Sequence, residues 1–218
     1  GLEKSFPGVH ALKGVRLQVR KGEVHALMKE NGAGKSTLIK ILTSIYQKNS
    51  GTIRFDGEEI NARTPIEANE KGISTIYQEL NLIPFQTVYE NLFLGREPLS
   101  RCRRIDRQKM ISETQRILND LGVSIDVTRP LGHYSTAIQQ MVAIARAVSI
   151  NAKLVIMDEP TSSLDAKEVQ ILFRIIRQLK KQGISVIFIS HKLDEIFEIC
   201  DRLTILKDGE YVGDYDIR

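Results

Sequence analysis

The sequence predicts an α/β fold with a mostly parallel sheet, a small antiparallel β subdomain and an inserted helical subdomain. Three observations carry that prediction. Strand-length apolar runs at Val24 to Met28, Leu154 to Met157, Val186 to Ile189 and Leu203 to Leu206 have flanking turn chemistry, and long helical segments separate several of them. Alternating apolar residues at Val15 to Val19 and Thr52 to Phe55, next to Lys21-Gly22 and Asp56-Gly57, predict short antiparallel strands joined by tight turns. Between about Pro84 and Ile150 the strand pattern vanishes and the residues favour helix.

Each element follows from local chemistry. After Lys35, the positions Leu38, Ile41, Leu42 and Ile45 repeat at i, i+3, i+4 and i+7, the pattern of an amphipathic helix opening directly from a glycine-rich turn. Helices are expected near Thr87 to Leu94, Asp106 to Leu121 and Ser135 to Ser149. Asp165 and Glu168 have capping-box spacing, and Val169, Leu172, Phe173 and Ile176 then form one apolar stripe. Residues 1–83 and 151–218 are therefore assigned to the core with its β subdomain, and residues 84–150 to the helical insertion. The sequence opens in mid-pattern at Gly1-Leu2-Glu3-Lys4 and reads as an excised domain.

Composition narrows the function. With 218 residues, 42% hydrophobic and 27% charged, the chain can bury one substantial core, which excludes a disordered segment. The 31 basic and 27 acidic residues are spread along the chain, so the net +4 does not point at nucleic acid. Arg101, Arg103, Arg104 and Arg107 crowd one loop of the helical stretch and read as a solvated surface. Two cysteines, Cys102 and Cys200, support neither a disulfide framework nor a metal cluster and fit a reducing, cytoplasmic setting. No apolar run approaches the roughly 20 residues that span a bilayer, so a membrane partner would be another chain.

The chemistry concentrates in two phrases. Asn31-Gly32-Ala33-Gly34-Lys35-Ser36-Thr37 lies between a predicted strand and a predicted helix, the setting of a phosphate cradle. Glycines let the backbone wrap phosphates, the N-H groups and the helix N-terminus face negative charge, and Lys35 reaches the terminal phosphates. Ser36 would hold Mg2+ through its hydroxyl. The pattern wants glycine five residues before Gly34, where the chain has Lys29. A lysine there would cost about 1 to 3 kcal/mol if the backbone needs a glycine-only conformation, or it is tolerated with its side chain in solvent. The second phrase, Leu154-Val155-Ile156-Met157-Asp158-Glu159-Pro160, is an apolar strand ending in two carboxylates. Asp158 would serve the metal's coordination shell, and Glu159 would polarise an attacking water.

With Tyr134-Ser135-Thr136-Ala137-Ile138-Gln139-Gln140 ahead of that strand, nearly the whole chain resembles an ABC-type ATPase, a P-loop NTPase with a RecA-like core. Ser135 matches the serine of the family's signature, while Tyr134, Ala137 and Ile138 depart from its commonest form. By itself Ser135 is a good helix N-cap, with or without a phosphate contact. The resemblance implies further roles. Gln78 matches a glutamine that ligates Mg2+, Ser163-Leu164-Asp165 a loop touching the partner's P-loop, and His191 a histidine that bonds the γ-phosphate and orients Glu159. Phe6 sits where relatives stack an aromatic ring on adenine; edge packing is the alternative.

The phrases from Ile45 to Thr52, from Ile156 to Leu164 and from Phe188 to Lys192 are most similar to the first nucleotide domain of two-domain sugar-importer ATPases. That resemblance implies Mg-ATP hydrolysis driving sugar import. It also implies a head-to-tail partner domain, integral membrane permease subunits and, indirectly, a periplasmic sugar-binding protein, but no nucleic acid. The place implied is the cytoplasmic face of a bacterial inner membrane, peripherally bound. Two other readings share the motifs: a domain impaired by Lys29 and the altered signature, and an ABC ATPase acting on nucleic acid or ribosomes.

Overall fold

The computed structural model describes residues 1–29, 34–79 and 81–217. An antiparallel pair, β1 (Leu2–Phe6) and β2 (Val9–Val15), precedes β3 (Val24–Lys29) and α1 (Lys35–Leu42). A two-residue pair, β4 (Arg54–Phe55) and β5 (Glu58–Glu59), then leads to α2 (Pro65–Glu70) and β6 (Ile73–Ile76). Next come three helices, α3 (Val88–Phe93), α4 (Arg107–Asp120) and α5 (Thr136–Ser149). The chain continues through β7 (Leu154–Asp158), α6 (Ala166–Lys181), β8 (Ser185–Ile189) and α7 (Leu193–Ile199), and ends in β9 (Arg202–Lys207) and β10 (Glu210–Asp216).

Six strands form the central sheet in the order β10-β9-β3-β8-β7-β6, parallel throughout except for the antiparallel edge strand β10. Successive side chains on a strand point to opposite faces, so each buried strand feeds two cores. Val24, Ala26, Val155, Met157, Val186 and Phe188 join the core beneath α3 to α7. Leu27, Leu154, Ile156, Ile187 and Ile189 join Leu12, Leu38 and Ile39 on the other side. Burying one such Ile, Leu or Phe contributes about 1.5 to 3 kcal/mol, which is why continuous apolar runs occupy the central strands. Phe173 meets Phe188 edge to face at 6.1 Å and ties α6 to β8.

The expected α/β class and the small antiparallel subdomain are both present. In the helical stretch, Thr87 and Glu90 form a reciprocal capping box on α3, Asp106 caps α4 and Ser135 caps α5. The three helices pack on one another, and α5 reaches α6 and β6. Asp165 and Glu168 cap α6 reciprocally at 2.9 and 3.1 Å, as their spacing predicts.

Three expectations need correction. Val15 ends β2, because the ladder with β1 runs only from Phe6↔Val9 to Leu2↔Val15; Leu17 and Val19 leave the ladder but still pack on the core. Of Thr52 to Phe55 only the last two residues pair, around an Asp56-Gly57 turn in which both residues have positive φ, 55° and 85°. Ile45 does not extend the stripe of α1. The helix stops at Leu42, Ser44 turns left-handed at φ 59°, and Ile45 is exposed. Five elements have no counterpart in the sequence reading: β1, α2, β6, α7 and β10. Thr64, with Pro65 at the first helical position, is the cap signal that marks α2.

Candidate functional site

The carboxyl ends of parallel strands face one edge of a sheet, and the loops that leave them form a crevice there. Along that edge β3 leads to α1, β6 to Gln78, β7 to Asp158 and Glu159, and β8 to His191. Asn31, Gly32 and Ala33 of the predicted cradle lie outside the described residues. Gly34 has φ 133°, and a Cβ there would stand 3.2 Å from the Ala11 carbonyl oxygen and 3.3 Å from Gly209 Cα. A side chain at this position would be strained and crowded by backbone, so glycine is required for the turn into α1.

Lys35 is buried, its Nζ 3.7 Å from Asp158 Oδ1 and 3.6 Å from Glu159 Oε1. Both distances are too long for hydrogen bonds but short enough for strong Coulomb attraction in a partly buried setting. Two carboxylates thus offset the desolvation of one ammonium, and an arriving phosphate would compete with them for it. Glu159 is placed by backbone. It adopts φ 48°, its N-H donates to the Ile189 carbonyl at 3.0 Å, and its carbonyl accepts from Ser162 N-H at 3.2 Å. The left-handed turn brings the adjacent Asp158 and Glu159 carboxylates to one ammonium, where an extended chain would point them apart. His191 Nδ1 lies 3.6 Å from Glu159 Oε1, with the imidazole largely exposed. The cluster therefore sets a carboxylate between a cation and an imidazole, which suits holding an anion and polarising a water.

Glu195 was not foreseen. Its buried carboxylate accepts from Thr161 Oγ1 at 2.7 Å, Ser190 Oγ at 3.1 Å and Lys192 Nζ at 2.9 Å. Thr161 lies two residues after Glu159, and Ser190 directly precedes His191. One carboxylate thereby fixes both loops that carry the candidate catalytic pair. Its only sequence signal is an acid in the first turn of the helix after Ser190-His191.

The remaining residues stand apart from this cluster. Ser36 is exposed and Thr37 half-buried on the first turn of α1, and Gln78 is exposed in the bend after β6. Neither Gln78 nor Ser135 bonds to Lys35, Glu159 or His191 among the described residues. Ser135 accepts from Ile138 N-H at a long 3.5 Å and is otherwise exposed, while Tyr134 donates its hydroxyl to the Asp126 carbonyl at 2.7 Å. Phe6 is half-buried and meets Tyr46 edge to face at 5.3 Å, with Lys4 Nζ 5.2 Å from its ring centre. Tyr46, just beyond α1, is a second aromatic that sequence reasoning left unassigned. Lys29 ends β3 with its backbone paired to Leu206.

A family model for ABC transporters matches residues 12–162. The chain belongs to the ABC transporter family. The ABC-family chain is 51% identical over 215 residues to the galactose/methyl galactoside import ATP-binding protein MglA 1 of Photobacterium profundum, covering 98% of this chain and 43% of that protein. It is 52% identical over 213 residues to the MglA protein of Escherichia coli, covering 98% of this chain and 42% of that protein. The chain thus spans less than half the length of these curated relatives. Among solved structures it is similar to an ATP-binding cassette of an ABC transporter in its ADP conformation, with TM-score 0.86 and 28% identity over 99% of this chain and 88% of that one. A dimeric cassette in a post-hydrolysis state with ADP and Pi matches at TM-score 0.81 and 25% identity, over 100% of this chain and 96% of that one.

Proposed function

We propose that the chain binds and hydrolyses Mg-ATP as the first nucleotide domain of a sugar importer. The observation that carries this reading is the Lys35, Glu159 and His191 cluster at the carboxyl edge of the sheet. Lys35 and the α1 N-terminus take the phosphates, with Asn31 to Gly34 as the cradle. Ser36, Gln78 and Asp158 offer only oxygen donors, a set that fits Mg2+. Bound Mg2+ would neutralise charge developing on the phosphates. Glu159 takes a proton from water, and His191 beside it orients that carboxylate and the terminal phosphate.

The other assignments extend this reading. Phe6 packs the adenine, and Ser135 contacts the nucleotide held by a head-to-tail partner domain. Residues 84–150 act as the helical unit that meets permease subunits, and a periplasmic sugar-binding protein acts through them. The import names of the relatives support this assembly and give no support to a nucleic-acid reading. The domain would lie peripherally on the cytoplasmic face of an inner membrane. Among the described residues no helix is long and apolar enough to cross a membrane.

The test compares Mg-ATP turnover by the chain and by Glu159→Gln, each with a second nucleotide domain present. The expected result is a loss of at least about 100-fold in kcat with ATP binding retained. Undiminished turnover by the variant would remove Glu159 from the mechanism.

A further inference from the structure

Residues 96–109 hold six basic and two acidic side chains, a net +4 that equals the formal net charge of the whole chain. The other 204 residues hold 25 of each sign. The excess positive charge is therefore local, and the structure gives it a shape. Between α3 and α4 the chain folds into a small hairpin: Leu99 bridges Ile105, Ser100 N-H donates to the Arg104 carbonyl at 2.7 Å, and Arg103 N-H donates to the Ser100 carbonyl at 2.9 Å. Arg103, at φ 57°, makes the turn. Arg101, Arg103, Arg104 and Arg107 are all exposed, and the first three have no ion pair among the described residues.

The hairpin is also apolar. Leu99 and Ile105 are 63% and 54% exposed, and as cross-strand partners they project to one face. Branched aliphatics beside unpaired arginines combine hydrocarbon insertion with attraction to anionic headgroups. Single-stranded nucleic-acid sites add aromatic stacking to their positive charge, and residues 96–109 contain no aromatic side chain. The hairpin follows directly from Gly95 and Arg96, which line a groove of about 860 Å³ with Tyr77, Leu82, Arg146 and Ser149.

We propose that this hairpin docks on an anionic lipid surface, with the arginines at the phosphate level and Leu99 and Ile105 at the headgroup boundary. The proposal goes beyond the transporter reading, and only its cellular setting rests on that reading, since the contact itself needs neither nucleotide nor permease.

Flotation with phosphatidylcholine vesicles, with and without about one phosphatidylglycerol in three lipids, tests it. The full chain should float with the anionic vesicles and not with the neutral ones, and it should release as salt rises from about 0.1 M to about 0.5 M. The triple variant Arg101→Gln, Arg103→Gln, Arg104→Gln should bind about 100-fold more weakly, from roughly tenfold or less per arginine. Leu99→Ser with Ile105→Ser should bind more weakly at every salt concentration and lose whatever binding survives high salt. Equal binding to both vesicle types overturns the proposal, as does undiminished binding by the triple variant. Capture of an RNA oligonucleotide in preference to anionic vesicles also overturns it. Mg-ATP binding, read on the same samples, reports separately on the nucleotide site, so failure of one reading leaves the other standing.

Discussion

Thr161 Oγ1 donates a hydrogen bond to the Glu195 carboxylate at 2.7 Å, joining the loop after β7 to the first turn of α7. Because Ser190 and Lys192 donate to the same carboxylate, the loop carrying Glu159 and the loop carrying His191 share one buried anchor. Glu195→Gln puts an amide in place of the carboxylate that serves those three donors, and either loop then gains freedom to shift. Turnover should fall about ten- to 100-fold, the effect of a displacement of up to about 1 Å in a positioned group, with ATP affinity changed less than about threefold. Steady-state and binding measurements on the variant separate the two constants; equal loss in both would mark Glu195 as a fold residue only.

Lys35 Nζ lies 3.7 Å from Asp158 and 3.6 Å from Glu159. Lys35→Met removes the ammonium that both carboxylates face and that a phosphate would meet. Calorimetry should show Mg-ATP affinity reduced at least about tenfold, since a charge-assisted hydrogen bond is worth about 1.5 to 3 kcal/mol. Unchanged affinity would take Lys35 out of the nucleotide site.

Lys29 pairs with Leu206 at the end of a parallel strand, an extended geometry that any residue adopts. The backbone therefore gives no reason for glycine there. Lys29→Gly should change Mg-ATP affinity less than about threefold by calorimetry, a difference under about 0.7 kcal/mol. Binding by the glycine variant alone would show that the lysine side chain itself obstructs the cradle.

His25 is wholly buried on β3, with Nδ1 3.1 Å from Glu23 and Nε2 2.6 Å from the Thr204 hydroxyl. Burial holds its pKa below the usual 6.5, outweighing the opposing pull of Glu23 and Asp214, while Arg202 adds to the lowering. Below pH 6.5 the unfolded chain takes up a proton that the folded chain resists, so this residue makes stability fall as pH is lowered through that window. Urea unfolding at about pH 7.5 and about pH 5.5 should show a smaller loss for His25→Gln than for the wild type. Equal losses in the two proteins would mean that His25 does not carry the effect.

Much of the fold was legible because its signals are local. Val186 to Ile189 and Leu154 to Met157 are apolar on both faces, which only a covered parallel strand satisfies. Asp165 with Glu168 and Thr87 with Glu90 satisfy helix N-termini within four residues. β1 and β10 escaped because both are edge or hairpin strands with mixed burial, and β6 because it is four residues long. In the candidate site, Lys35, Asp158 and Glu159 were named from their motifs and His191 from the resemblance, and Glu195 and Tyr46 were missed. An acid in the first turn of a helix reads as a dipole partner until burial is known.

The sequence by itself determined the α/β class, the helix caps, the glycine-lysine turn and the carboxylate pair at a strand end, all products of contacts spanning a few residues. Tertiary structure decided the rest. It set the order of the strands and brought Thr161 to Glu195 across 34 residues. It also placed Lys35 between carboxylates more than 120 positions away and left Leu99 and Ile105 exposed beside exposed arginines. Burial and through-space distance depend on how the chain returns on itself, and no periodicity within a segment encodes that return.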